Sequence, residues 1–280
     1  MSKITECTLD EVFVKCLAKT TQDNTVVFHG VSSPTPMVAI PFARKTHAPN
    51  ICYLGSVPGG VNPDQPFLAT TTNDWATSQN AILTIPVGKV FDICAKGELD
   101  RMFFSGAQID KYGNTNVTLI GNLEKIRIKL PGGAGGANMS CDAKKFTIWT
   151  TRHRAQVTSK GKIFSLMEKV DFITDVGHVT PSGNRKELGL IGGGPDWVVT
   201  NLGVFDFEEE TKVMRLRYRY PDVTVEEILS NTGFQPVIPK EVGIVELPTP
   251  EEVELIRKID PLNVRKREFP SEELKRVFPL

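Results

Sequence analysis

Apolar residues recur three and four positions apart in four stretches of the chain, and each stretch opens or closes on a helix signal. In TLDEVFVKCLA, Thr8 stands as N-cap with Glu11 three residues on, the reciprocal pair that satisfies two otherwise unpaired amides. TVEEILSNTG repeats the device with Thr224 and Glu227, and TPEEVELIRKID repeats it with Thr249, Glu252 and Pro250 at the first helical position. GKVFDICAKG ends on Gly97, the residue that takes a left-handed stop at least cost. Between these helices lie short apolar or β-branched runs bounded by Gly, Pro or Asn: NTVVFHG, APNICYLG, DRMFFSG, NVTLIG, KFTIWTT and DWVVTNLGVFDF. KVMRLRYRY alternates apolar and basic residues, the mark of a late half-exposed strand, and FEEET before it reads as a hairpin turn. Strands interleaved with helices predict an α/β fold on a mixed, mostly parallel sheet. Residues 1–245 read as one α/β domain, and 246–280, richer in charge and proline, as a helix and tail packed on its outside.

Bulk composition narrows the function more than it changes the fold. The chain has 280 residues, 40% of them hydrophobic and 24% charged, a profile that sustains a sizeable core. Lys plus Arg equals Asp plus Glu at 33 each, so no global field draws it to nucleic acid or an acidic membrane, and any anion site must be local. Even RLRYRYPD, which interleaves Arg and Tyr, lacks a recognised nucleic-acid module around it. The five cysteines are odd in number and widely spaced, as expected of reduced thiols, and with His47, His153 and His178 they show no metal-ligand spacing. No signal-like leader opens the chain and no run nears the ~18 apolar residues of a membrane span, so a cytoplasmic location is expected.

The candidate chemistry starts at KLPGGAGGANMSC, residues 129–141, with four glycines in five positions. It satisfies neither GxxxxGK[ST] nor GxGxxG, so ATP and NAD are poor matches. It does lie between the strand-like EKIRIKL and the helix-like NMSCDAKK, and bare backbone there can either present amides to an anion or simply make a tight turn. Upstream, FFSGAQIDKYGNTNVTLIG places Gln108, Asp110, Asn114 and Asn116 after an apolar strand, where open α/β sheets hold ligands. The same residues also serve as a polar turn that satisfies its own backbone. KIRIKL sets Lys125, Arg127 and Lys129 on one face, which is either a solvated face or a phosphate contact.

Taken together, these motifs resemble a known family. GAQIDKYGNTN is similar to the signature of the β subunits of class I coenzyme A transferases, the glutaconate CoA-transferase group, and LPGGAGGAN to their glycine loop. VVTNLGVFDF and IDPLNVRKREF resemble more closely the β subunit of a bacterial ring-opening hydrolase of steroid degradation, an offshoot of that family. The resemblance runs from about residue 8 to 269. It implies a three-layer α/β/α fold, a separately encoded α subunit in an α2β2 assembly, and an acyl-CoA substrate that brings coenzyme A with it, with no permanently bound cofactor. It also implies amide donors at Gly135, Gly136 and Ala137, a polar contact at Asn138, and substrate contacts at Gln108, Asp110, Asn114 and Asn116.

One departure matters for the reaction. In the transferases a glutamate that follows the strand matching APNICYL attacks the thioester, whereas this chain continues GSVPGG, with no Asp or Glu from Gly55 to Gly60. Asp64 and Asp74 are the nearest carboxylates downstream. Ser56 stands closest to the missing group as a catalytic candidate, while Cys52 in its strand reads as packing. His29, beside a Gly/Ser turn, is open to either a substrate-contact or a structural reading. The expected activity is that of a β subunit acting on acyl-CoA without the transferase nucleophile, with carbon–carbon hydrolysis foremost. Glutaconate-type transfer, decarboxylation and a noncatalytic partner-binding role are the alternatives.

Overall fold

The computed structural model describes residues 4–56, 59–65, 68–159 and 161–280, which divide into two compact units. The first joins residues 1–103 to 246–280, so the carboxy-terminal segment completes the amino-terminal unit, and the second spans 104–245.

In the first unit, strand β1 (Val26–His29) pairs in parallel with β2 (Cys52–Leu54) on one side and with Arg101–Ser105 on the other. Two short antiparallel strands, β3 (Gly60–Val61) and β4 (Leu83–Thr84), extend the edge beyond β2, and the strand Arg101–Ser105 is β5. Helix α1 (Leu9–Lys19) begins at the expected Thr8, whose amide donates to Glu11 Oε2 at 2.9 Å. Helix α2 (Pro34–Lys45) is unannounced by the pattern, because Pro34 and Pro36 sit in its first turn and Pro41 inside it. The prolines at the start cost nothing, since those amides have no intrahelical partner; only Pro41 removes an internal bond, and the buried face Met37, Val38, Ile40 and Phe42 compensates. Helix α3 (Val87–Ala95) follows, with Gly97 at φ +70° after it.

The carboxy-terminal helix α6 (Pro250–Ile259) carries the expected Thr249–Glu252 capping box and packs against α1 and α2. Beyond it, the IDPLNVRKREF motif forms a buried ion cluster. Arg265, 1% exposed, meets Asp10 Oδ2 at 2.7 Å, Asp260 Oδ2 at 2.9 Å and Glu11 Oε1 at 3.5 Å. Asp260 also accepts from the amides of Val264 and Arg265, folding the tail back onto α1. Burial alone would raise the Glu11 carboxyl, but hydrogen bonds from Arg257 and the Thr8 amide outweigh it and hold it below the usual range.

In the second unit β6 (Gln108–Asp110) and β7 (Thr115–Asn116) pair antiparallel, as do β8 (Leu119–Gly121) and β9 (Ile126–Lys129). Helix α4 (Gly136–Asp142) leads into β10 (Lys145–Thr150), which is parallel to β11 (Pro195–Thr200). The run 196–207 folds as a hairpin rather than one strand: β12 (Gly203–Phe207) turns back on β11, and β13 (Met214–Arg219) follows antiparallel after the expected turn. Thr200 makes that hairpin, its hydroxyl donating to the Gly203 carbonyl at 2.8 Å and accepting from the Leu202 and Gly203 amides. Helix α5 (Val225–Asn231) starts where Thr224 accepts from the Glu227 amide, and β14 (Gly243–Ile244) closes the sheet edge in parallel. Among the described residues no helix is long and apolar enough to cross a membrane.

Arg265→Met is expected to cost about 3–5 kcal/mol, because it strands three buried carboxylates. Urea denaturation of the variant checks this, and a loss below about 1 kcal/mol would refute a structural role for the cluster.

Candidate functional site

The glycine loop owes its composition to what lies beneath it. Leu130 N–H donates to the Thr118 carbonyl at 3.0 Å and Gly132 N–H to the Val117 carbonyl at 2.7 Å, fixing where the loop leaves β9. Gly132 has φ +101° and Ala134 φ +45°, so the chain turns through left-handed space twice. A Cβ at position 133 would run into Thr174 Cγ2, and one at 136 into Asp175 Oδ1. Thr174 and Asp175 are themselves held to β7, with Thr174 N–H donating to the Thr115 carbonyl at 2.8 Å and the Thr115 hydroxyl donating to Asp175 Oδ2. Two of the four glycines are therefore packing glycines, not ligand donors.

The same geometry sorts the predicted donors. Gly136 N–H turns back to the Gly133 carbonyl at 2.7 Å, and the residue is buried, so the amide-donor expectation for Gly136 is replaced by a packing role. Gly135 is the half-buried N-cap of α4, and Ala137 and Asn138 lie in its first turn, Asn138 exposed, so these three keep a face for a ligand.

Below α4 lies a residue that no sequence signal marked. Arg185, 8% exposed, spends all five N–H donors on backbone carbonyls: Gly192 from Nε, Val176 and Gly177 from Nη1, and Ser140 and Cys141 from Nη2. It binds the last turn of α4 to the 176–177 and 192 segments, and its charge faces the negative end of that helix. Burial depresses its pKa. The nearest sequence clue is the glycines around it, since a Cβ at 177 or 192 would strike backbone carbonyls.

The four polar residues expected to touch substrate are buried and bonded to one another or to backbone. Gln108 Oε1 accepts from Asn116 Nδ2 at 2.7 Å and from the Asp171 amide at 2.9 Å. Asn116 Oδ1 accepts from the Thr118 amide at 3.0 Å, and its amide group also donates to the Leu119 carbonyl. Asp110 accepts from the amides of Tyr112 and Asn114 and from Asn114 Nδ2, which also donates to the Val179 carbonyl, while Asn114 Oδ1 accepts from Gly177 N–H. Substrate contact at Gln108, Asp110, Asn114 and Asn116 thus gives way to a scaffold role, the polar-turn alternative. Burial pushes the Asp110 carboxyl up to about 6 despite the Asn114 bonds. Lys129 is likewise spent, donating to the Thr118 and Leu130 carbonyls, while Arg127 meets Asp171 at 3.4 Å.

In the first unit, Ser56 ends the turn after β2. It is 2% exposed and its Oγ has no hydrogen-bond partner, the condition of a hydroxyl awaiting one. Val57 and Pro58, next in that turn, lie outside the described residues. Asp64 is two-thirds exposed and paired with Lys45 at 3.2 Å, and Asp74 accepts from the Ala76 amide as the cap of a 3-10 turn, so neither serves as a nucleophile there. Cys52 is held as a thiol by burial, which outweighs the nearby Arg44 charge. His29 is buried, with Nδ1 donating to the Gly30 carbonyl at 2.9 Å and Nε2 accepting from Tyr53 Oη at 2.6 Å; burial lowers its pKa to about 4. With both nitrogens committed, the substrate-contact reading of His29 falls to the structural one.

Among the described residues no cluster of His, Cys, Asp and Glu is placed to hold a metal ion. The model of the family described as coenzyme A transferase matches residues 11–231. The chain belongs to that family. It is 32% identical over 274 residues to the second of the two named chains of glutaconate CoA-transferase from Acidaminococcus fermentans, covering 93% of this chain and 96% of the relative. It is 30% identical over 188 residues to the cholesterol ring-cleaving hydrolase IpdB subunit of Rhodococcus jostii, covering 66% and 68%. The crystal structure of the decarboxylase AibA/AibB superposes with a TM-score of 0.79 at 29% identity, covering 94% of this chain and 98% of that one. The three-layer α/β fold is that of the coenzyme A transferases.

Two outcomes are expected of the loop's underside. Gly136→Ala should cost roughly 1–3 kcal/mol by overpacking, most of it recovered when Asp175→Ala is added, since that removes the obstructing oxygen. Burial raises the Asp175 carboxyl from 3.8 to about 6, so between those values the folded state binds a proton that the unfolded chain releases, and stability falls as pH rises. The buried His29, His153 and His178, lowered by burial, act oppositely over pH 4–6.5, so the difference between wild type and Asp175→Asn isolates the effect. That difference should shift against wild type by on the order of 3 kcal/mol from pH 4 to 6.5 in urea titrations; a flat difference would exclude a protonated Asp175.

Proposed function

We propose that the chain is the β-type subunit of a heteromeric acyl-CoA-processing enzyme that cleaves a carbon–carbon bond, with hydrolytic opening of a cyclic β-keto acyl-CoA as the leading reaction. The observation that carries the reading is the turn after β2. Gly55 and Ser56 stand where the resemblance puts the transferase glutamate, and the nearest downstream carboxylates, Asp64 and Asp74, are engaged elsewhere. A thioester held here has no carboxylate of that turn to accept its acyl group. In the proposed reaction, water adds to the ring ketone and the tetrahedral adduct breaks its bond to the carbon next to the thioester. The electron pair moves onto the thioester carbonyl as an enolate, and the enolate carbon then takes a proton. Backbone N–H groups of Gly135 and Ala137, the Asn138 amide and the Ser56 hydroxyl are the groups of this chain suited to stabilise that charge. The acid and base for water and carbon come from an α subunit, in keeping with the two-chain naming of AibA/AibB, and an α2β2 assembly is expected.

Decarboxylation is a second reading, favoured by the likeness to the decarboxylase AibA/AibB, which has also been solved with one cysteine replaced by serine, among other residues. It too ends on a thioester-stabilised carbanion, with carbon dioxide leaving and a proton arriving.

The test uses the complex of this chain with its co-purified partner and a panel of acyl-CoAs. Mass spectrometry is expected to find a product heavier by one water, or carbon dioxide release under the second reading, with this chain's mass unchanged after hydroxylamine or borohydride treatment. A covalent thioester on one of its carboxylates would overturn the proposal in favour of transfer. Ser56→Ala should lower kcat about 10²-fold with little change in KM.

A further inference from the structure

A cavity of about 390 Å³ lies wholly within the first unit, at the last turns of α2 and α6, and nothing in the proposed reaction uses it. Its rim carries Arg44, Lys45 and Lys258 against a single carboxylate, Asp64. Lys45 is committed to Asp64 at 3.2 Å. Arg44 donates only to the Pro63 carbonyl, at 3.4 Å, and among the described residues no carboxylate pairs with Arg44 or Lys258. Cations in a helix's last turn are ordinary, because they complement its dipole, so the charges alone decide nothing. Two further features do. The walls are apolar, formed by Pro41, Leu68, Leu255 and Ile259, with Tyr53 among the lining residues. Gln65 also lines the cavity, and its Oε1 is shielded from solvent with no hydrogen-bond donor. An amide oxygen left so needs a donor from outside the chain.

We propose that this cavity binds a nucleotide through a phosphate monoester. The flat apolar space suits a base, and the volume lies within the roughly 300–1,000 Å³ of small-molecule sites. Gln65 Oε1 takes a hydrogen from an exocyclic amine or ribose hydroxyl. Arg44 and Lys258 supply two uncommitted positive charges for a group that carries about −1.5 to −2 at neutral pH, and the guanidinium fork of Arg44 matches phosphate oxygens pairwise. The phosphate can belong to a free nucleotide or to the nucleotide end of coenzyme A; the chemistry recognised is the same. The proposal stands apart from the reaction proposed above, since it uses neither the glycine loop nor Ser56.

Isothermal titration of the full-length chain with adenosine 3′,5′-bisphosphate, coenzyme A, dephospho-coenzyme A, adenosine and inorganic phosphate tests it. The bisphosphate is expected to bind at least tenfold more tightly than adenosine or phosphate alone. Arg44→Ala, Lys258→Ala and Gln65→Leu should each weaken it, the first two at least tenfold and more at low salt. Coenzyme A binding that exceeds the dephospho form and is lost in the same variants assigns the phosphate to coenzyme A; bisphosphate binding without coenzyme A binding assigns it to a free nucleotide. Should Arg44→Ala fail to fold, Lys258→Ala on the exposed side of α6 decides alone. Bisphosphate affinity within twofold of wild type in Lys258→Ala, or no binding at millimolar concentration, overturns the proposal.

Discussion

Asp175 fills the space that a side chain at position 136 would need, and the shape of the glycine loop follows from that contact. The carboxyl cannot move away, because Thr115 holds one oxygen and the backbone of residues 174–175 is bonded to the same strand. The loop cannot move away either, because Arg185 ties the far end of α4 to the 176–177 and 192 segments through five carbonyls. Each of these groups is buried, and releasing any one would leave polar atoms without water or partner. The first turn of α4 is thereby presented in one position before any ligand arrives, which is the condition for a backbone donor to stabilise charge without reorganising.

The two buried arginines show two ways to carry a charge inside a protein. Arg265 is balanced by Asp10, Glu11 and Asp260 and knots the carboxy-terminal tail to the first helix. Arg185 is surrounded by carbonyl dipoles alone. Dipoles satisfy every donor without fixing a protonation partner, so the positive field under α4 is left uncancelled by any ion pair. That field favours negative charge at the loop, the sign that an enolate or a phosphate would bring. Asp175 beside it is held toward its neutral form by burial, which limits the opposing charge it adds.

A division of labour follows within the second unit. Gln108, Asp110, Asn114 and Asn116 form the frame, bonding to one another and to the 171–179 segment that supports the loop. Ala137, exposed Asn138 and the half-buried Gly135 form the working edge. The frame residues look like ligand contacts in a sequence because polar side chains at a strand end are rare in cores. They are tolerated in this one because each has its partners within the same network.

The sequence by itself determined the local structure that local chemistry controls. The capping pairs Thr8–Glu11 and Thr249–Glu252 and the Thr224 cap, the stop at Gly97 and the alternation of β13 are interactions within a few residues, so spacing suffices to read them. The ordered set of motifs also carried the family. Only the tertiary structure decided what most of the motif residues are for. Whether Gln108 faces a ligand or Asn116, whether Gly136 offers its amide or yields its Cβ space to Asp175, and whether the tail is an appendage or the keystone of α1 depend on residues 8 to over 250 positions apart. Arg185 and α2 were illegible for the same reason: a lone basic residue looks solvated, and a proline-rich run looks unhelical, until the carbonyls and the core they pack against are in place.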